Sequence, residues 1–218
     1  MAAVIGACAM PQRVDAPEPE PAQSQRNVSE TRRVYSDLIR SMLEQGQYYA
    51  ALAHVQERRH EGGDQGELRY LEAEARRGLG QVDAADALYR GLLRAPQAAR
   101  AYHGLGLLHA GHDLNRAIGY LGEAARRVPT DADVRNDFGY ALLRAGRYPE
   151  ALAELATAVE LAPESEKARN NLILLLLVRG DEAAVTRVAR EAAVAPDTLS
   201  RLRQQARALN TPKGIQGG

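Results

Sequence analysis

The sequence predicts an all-α fold, a solenoid of about five helix-turn-helix repeats followed by a C-terminal capping helix. Prolines recur every 33 or 34 residues, at Pro96, Pro129, Pro163 and Pro196. Between them, apolar residues recur at helical spacing in two blocks separated by a short turn. A period of this length is typical of stacked repeats, in which each helix pair buries its apolar face against its neighbours.

The clearest repeat runs from Asp133 to Pro163. Gly146 separates its two apolar blocks, at a place where a helix can end because glycine tolerates a positive φ. Pro163 ends the second block because proline cannot continue the helical hydrogen bonds. The apolar residues at helical spacing are Val134, Phe138 and Leu142 in the first block, and Ala151, Leu155 and Ala158 in the second.

Composition shifts divide the rest of the chain. Residues 31–196 contain the repeats, and residues 197–209 read as the capping helix, since leucines follow one face and arginines the other. Residues 9–30 are polar and rich in proline, so we predict a disordered linker there. The Gly-containing tail, residues 210–218, is predicted to be disordered as well.

The repeat resembles the tetratricopeptide repeat, and the resemblance extends to single residues. Only the opening aromatic of that family is missing, with Arg135 in its place. The residues that match its signature in order and spacing are Phe138, Gly139, Leu142, Gly146, Tyr148, Ala151, Leu155, Ala158 and Pro163.

The resemblance implies a concave groove, lined by the first helix of each repeat, that binds peptides or partner helices. Asparagine amides there could bond a peptide backbone, and apolar residues could accept side chains. The alternative is structural: Asn170 and Asn171 brace neighbouring repeats, and the C-terminal helix covers Leu174 and Leu177. The predicted groove residues are Asn136, Tyr140, Arg144, Asn170, Leu174 and Leu177.

Charge and motifs exclude several classes of function. Lys plus Arg and Asp plus Glu both number 28, which gives no general attraction to nucleic acid or to an anionic membrane. A metal or acid/base site could be built from His103, His109, His112 and Asp113, but their spacing matches no known ligand motif. We therefore expect a protein or peptide ligand, with no catalytic residue, metal or cofactor.

Cys8, the single cysteine, ends a short stretch that resembles a bacterial lipobox, Ile5-Gly6-Ala7-Cys8. The basic and long apolar parts of a signal peptide are missing before it, so residues 1–8 read as a partial lipoprotein signal. Either translation starts upstream of Met1 or the match is accidental. The linker that follows favours lipidation of Cys8, and Ala9 at the next position then implies sorting to the outer membrane.

A narrower resemblance spans Tyr35 to Leu209, strongest over residues 101–163 and 167–181. It is to the TadD lipoproteins of the Flp/Tad (tight adherence) type IV pilus machinery. That family implies a pilotin-like assembly factor for the pilus secretin, facing the periplasm from the outer membrane. The alternatives are a cytoplasmic adaptor or co-chaperone without an anchor, and an enzyme or the regulatory arm of one.

Overall fold

The computed structural model describes residues 21–60, 62 and 65–211, with side chains from residue 29 onward. This part of the chain contains α-helices and no strand. The helices are α1 (Pro21–Glu44), α2 (Tyr48–His60), α3 (Gln65–Gly78), α4 (Val82–Arg90), α5 (Ala98–His109), α6 (Leu114–Arg127), α7 (Ala132–Arg144), α8 (Tyr148–Leu161), α9 (Glu166–Val178), α10 (Glu182–Glu191) and α11 (Pro196–Asn210).

The first ten helices form five pairs, α1/α2 to α9/α10, and the second helix of each pair packs on the first helix of the next. The five repeats and the C-terminal helix predicted from the sequence are therefore confirmed. Helix α11 ends at Asn210, one residue beyond the predicted end.

Glycine ends the first helix in four of the five pairs. Gly46, Gly80, Gly146 and Gly180 have φ values between 71° and 74°, which a residue with a Cβ rarely adopts. After α7, the backbone N–H of Arg147 reaches back to the Leu142 carbonyl at 3.0 Å and closes the helix end. The role predicted for Gly146 is confirmed.

A second glycine position lets the two helices of a repeat approach closely. A Cβ placed on Gly139 would lie 2.7 Å from Cγ of Leu155, and one on Gly106 would lie 2.5 Å from Cγ of Leu121. Both distances are far below van der Waals contact, so any larger residue would push α7 from α8, or α5 from α6.

The apolar core is larger in the C-terminal half of the solenoid. One cluster of buried residues runs from α6 to α11, between Ile118 and Ala206. Two smaller clusters lie in the N-terminal half, one around Ile39 and Leu71 and the other around Tyr89.

Helix α1 begins at Pro21, so the predicted disordered linker is wrong for residues 21–30, which are helical. Proline fits the first turn of a helix because its fixed φ is helical and its missing N–H has no partner there. The sequence contains no proline or glycine between Pro21 and Gly46, and residues such as Ala22 and Gln23 favour a helix. The partial signal 1–8, the linker residues 9–20 and most of the tail, 212–218, lie outside the described residues.

None of the helices in the described ranges combines the length and the apolar character needed to cross a bilayer.

Candidate functional site

The first helices of successive pairs pack side by side, as α1 on α3, α3 on α5 and α7 on α9. We call the surface they share the inner face. The side chains that contact one another there across repeats, together with their neighbour Asn170, are Arg40, Glu67, Arg100, His103, Asn136, Asp137, Lys167 and Asn171.

Glu67 connects three repeats on the inner face through hydrogen bonds. Its carboxylate accepts hydrogen bonds from Arg40 of α1 and from Arg100 of α5, the Arg100 Nη1 contact being 3.1 Å. Burial alone would raise the pKa of Glu67, but the bonds and charges of the two guanidinium groups outweigh it and hold that pKa below its usual range. Glu67 is therefore ionised at neutral pH.

Asp137 of α7 makes a similar connection two repeats further on. It accepts from Nε2 of His103 on α5 at 2.9 Å, and Nζ of Lys167 on α9 lies 2.7 Å away. Burial opposes ionisation of Asp137, yet these two partners lower its pKa below the usual range. The charged carboxylate thus links repeats three, four and five.

Asn136 is a brace between repeats, which corrects its assignment to the groove. Its side chain is 1% exposed. Oδ1 accepts from Nδ2 of Asn171 at 2.8 Å, and its own Nδ2 donates to Asp137 at 3.1 Å. The amide is satisfied within the protein, as buried polar groups generally are, and has no surface left for a ligand.

Leu174 is also wrong as a groove residue, because it is fully buried. Helix α11 packs along α9, and Leu202 and Ala206 of α11 belong to the same apolar cluster as Leu174. Leu177 packs partly against this cluster at the edge of α11. This packing is consistent with the alternative in which the C-terminal helix covers Leu174.

The other three predicted residues retain accessible surface. Tyr140 is half-buried against the core cluster, and the exposed Arg144 donates from Nη1 to the Ala110 carbonyl at 2.8 Å, which braces α7 to the end of α5. Asn170 lies at a cavity of about 400 Å³ between α9 and α11. This cavity is lined by Lys167, Asn170, Asn171, Thr198, Arg201, Leu202 and Gln205.

Sequence reasoning missed Lys167 and Arg201 as parts of this site. Both charged residues of the lining are cationic, and Lys167 is 56% exposed even though it pairs with Asp137. One signal was available: Lys167 is one of only two lysines and lies one helical turn before Asn170 and Asn171. Arg201 could not be placed without knowing where α11 packs.

The histidines do not converge on one point. His103 is bonded to Asp137 on the inner face, whereas His109 is buried between Asp86, at 3.0 Å from its Nε2, and His112, at 3.1 Å from its Nδ1. The described part of the chain holds no group of three or more histidine, cysteine or acidic side chains placed to bind a metal. The structure gives these residues bracing contacts between repeats two, three and four.

Comparison with known proteins agrees with the geometry. The family described as tetratricopeptide repeat matches residues 107–184. A tetratricopeptide-repeat-containing protein of Pseudomonas aeruginosa, PA4299, is 34% identical over 190 residues, covering 86% of this chain and 74% of its own.

Solved structures share the fold. A thermophilic tetratricopeptide-repeat protein from Thermus thermophilus superposes with a TM-score of 0.63 at 21% identity, covering 82% of this chain and 98% of its own. MamA from Desulfovibrio magneticus RS-1 gives 0.59 at 21% identity, covering 78% of this chain and 95% of its own. The repeat geometry and the Pseudomonas relative together show that this chain belongs to the tetratricopeptide-repeat family, whose members are scaffolds for protein partners.

Proposed function

We propose that the protein is a periplasm-facing outer-membrane lipoprotein that acts as a pilotin-like assembly factor for the secretin of a Flp/Tad type IV pilus. The resemblance of Tyr35 to Leu209 to the TadD lipoproteins supports this function, and the lipobox at Cys8 supports the anchor. The geometric observation behind the proposal is the cationic cavity between α9 and α11, which offers a partner segment a prepared site.

The cavity suits an extended acidic segment of a partner. The amides of Asn170 and Gln205 can bond to a peptide backbone, and Lys167 and Arg201 favour a carboxylate. The Asp137–Lys167 pair and the Asn136–Asn171 bond hold α9 in place before any ligand arrives. A site fixed in this way loses less conformational freedom on binding.

The alternative is a cytoplasmic adaptor or co-chaperone without an anchor, which would use the same cavity. The two proposals differ in the fate of Cys8 and in the identity of the partner, so they need separate experiments.

The binding experiment titrates the full chain with the secretin subunit encoded in the same genome. The double variant Lys167→Glu/Arg201→Glu should weaken binding by about tenfold or more, because it reverses both charges of the cavity. Arg126→Glu is the control, since Arg126 is a 70% exposed cation on the second helix of repeat three. Absence of secretin binding by the wild type would contradict the pilus function, and equal binding by the double variant would contradict the site.

The anchor experiment compares wild type and Cys8→Ser, expressed from the native gene with its own upstream sequence. The wild type should sediment with outer membranes and the variant should move to the soluble periplasmic fraction. A wild type that stays entirely soluble in the cytoplasm would support the adaptor.

A further inference from the structure

Helix α1 carries an exposed apolar pair on the side that faces away from the other repeats. Val34 is 61% exposed and Leu38 is 47% exposed, and they are four residues apart and therefore adjacent on one face. Tyr35, the neighbouring aromatic residue, instead packs on α2 through His54 and Arg58. The pair therefore does not belong to the contact between α1 and α2.

The repeat itself shows what normally covers these positions. Gly46 and Gly146 are equivalent turn residues, so Val34 corresponds to Val134 and Leu38 to Phe138. Val134 is buried against Ala124 and Ala125 of α6, and the Phe138 ring lies over Gly122 of the same helix. In repeat four, this face is thus covered by the second helix of the preceding repeat.

No helix among the described residues takes that place on α1. The other end of the solenoid is different, because α11 covers it and presents Arg201, Gln204 and Arg207 to solvent. One end is capped by a polar helix and the other leaves its apolar pair exposed. Two such ends that pair with each other would cover both apolar pairs without extending the solenoid.

The charges beside the apolar pair are self-complementary. Arg33 and Asp37 are exposed, have opposite signs and lie one turn apart on the same side of Val34 and Leu38. When two α1 helices pair antiparallel about a two-fold axis, Arg33 of one copy faces Asp37 of the other, and this contact occurs twice. Asp37 also contacts Arg40 within its own helix, and a carboxylate can accept from both.

Helix α1 also has the length to form such a pair. It has 24 residues, about 36 Å, whereas α2 to α11 have between 9 and 15. Helix α7 begins at Ala132, whose equivalent in α1 is Arg32, so α1 starts eleven residues earlier than the repeat requires. This extension gives a second copy more backbone to lie along.

We propose that α1 is a homodimer interface, in which two copies pair antiparallel with Val34 and Leu38 at the centre and Arg33–Asp37 contacts on the flank. A two-fold contact uses the same surface on both copies, so assembly stops at the dimer. The interface does not depend on the pilus function, because it involves neither Cys8 nor the cavity between α9 and α11.

The test is sedimentation velocity of the full chain, 23.7 kDa, under reducing conditions that prevent a disulfide through Cys8. The wild type should shift from monomer towards dimer as its concentration rises from about 1 to 200 μM, the range of a modest interface. Val34→Glu/Leu38→Glu should remain monomeric with an unchanged circular dichroism spectrum. Tyr49→Glu, at a 77% exposed residue of α2, is the control and should dimerise as the wild type does.

Charge exchange tests the antiparallel arrangement. Arg33→Asp and Asp37→Arg should each raise the dissociation constant about fivefold or more, and the double exchange should restore it, since opposite charges then face each other again. A wild type that is monomeric at every concentration would overturn the proposal and leave the face to a helix of another protein. A dimer that survives Val34→Glu/Leu38→Glu, or a double exchange that restores nothing, would also overturn it.

Discussion

The N-terminal and C-terminal halves of the solenoid are held together in different ways. From α6 to α11, a single cluster of buried aliphatic side chains crosses the repeat boundaries. Around α1, α3 and α5, the apolar clusters that cross the repeat boundaries are smaller, and the Arg40–Glu67–Arg100 contacts add a charged connection between repeats.

The difference matters because these contacts stabilise unequally. A fully buried leucine contributes about 1.5 to 3 kcal/mol, whereas an ion pair with a partly exposed arginine contributes about 0 to 1 kcal/mol. Stability in a repeat protein is roughly a sum over repeats and their interfaces. We therefore expect the N-terminal repeats to open first, in local steps that leave the C-terminal cluster intact.

The largest expected effect comes from removing a leucine of the C-terminal cluster. Leu174→Ala should lower the free energy of unfolding by about 2 to 5 kcal/mol, because it leaves a cavity between α9 and α11. Ile39→Ala is the matched change in the N-terminal cluster, since both side chains are fully buried. Denaturant unfolding measures the loss of stability, and hydrogen exchange shows where it falls. For Leu174→Ala, faster exchange should extend across repeats four and five, whereas for Ile39→Ala it should be confined to α1 to α3. Equal deprotection of both halves by Ile39→Ala would contradict the comparison.

An intermediate effect is expected for the brace of repeat four. Asn136→Ala should lower the free energy of unfolding by about 1 to 3 kcal/mol, because it leaves the partly buried amide of Asn171 without its acceptor. Asn170→Ala is the comparison, since Asn170 borders the cavity and makes no such bond to α7. Calorimetry should show a lower Tm for the first variant, and titration with the secretin subunit should show weaker binding for the second. Weaker binding with an unchanged Tm for Asn136→Ala would mean that Asn136 contacts the ligand.

The smallest effect is expected for Glu67→Gln, about 0.5 to 1 kcal/mol, because its arginine partners are partly exposed. The pKa of Glu67 is lower in the folded protein than in the unfolded chain, so its contribution is fully present above the unfolded pKa of about 4.3. It is lost as the pH falls from there towards the lower folded pKa. The Tm difference between wild type and Glu67→Gln should therefore be greatest near pH 7 and shrink below about pH 4.3. If the Tm difference stayed constant from pH 7 to below about pH 4.3, the ionised carboxylate of Glu67 would not be its cause.

The repeat pattern predicted the architecture well because it depends on local rules. Gly146 ends a helix where the turn needs a positive φ, and Gly139 matches the repeat signature at the point where two helices touch, so both residues could be identified from the sequence. The pattern did not predict the start of α1, because Pro21 follows two other prolines in a polar stretch that is typical of an extended linker. Proline is also compatible with the first turn of a helix, so the sequence does not distinguish an extended linker from a helix start at Pro21.

The binding surface depended on contacts between repeats, which no local pattern specifies. Asn136 and Asn170 occupy equivalent positions on α7 and α9 and look alike in the sequence. In the structure, Asn136 is hydrogen-bonded to Asn171, whereas Asn170 borders a cavity. Only the packing of the neighbouring helix distinguishes them. Periodicity and turn chemistry act within each repeat, so the amino-acid pattern was enough to predict the five helix pairs, their turns and the amphipathic C-terminal helix. The position of α11 along α9, where its apolar residues join the cluster of Leu174 and Arg201 borders the same cavity as Lys167, follows only from the folded structure, because it depends on how two distant apolar faces fit together.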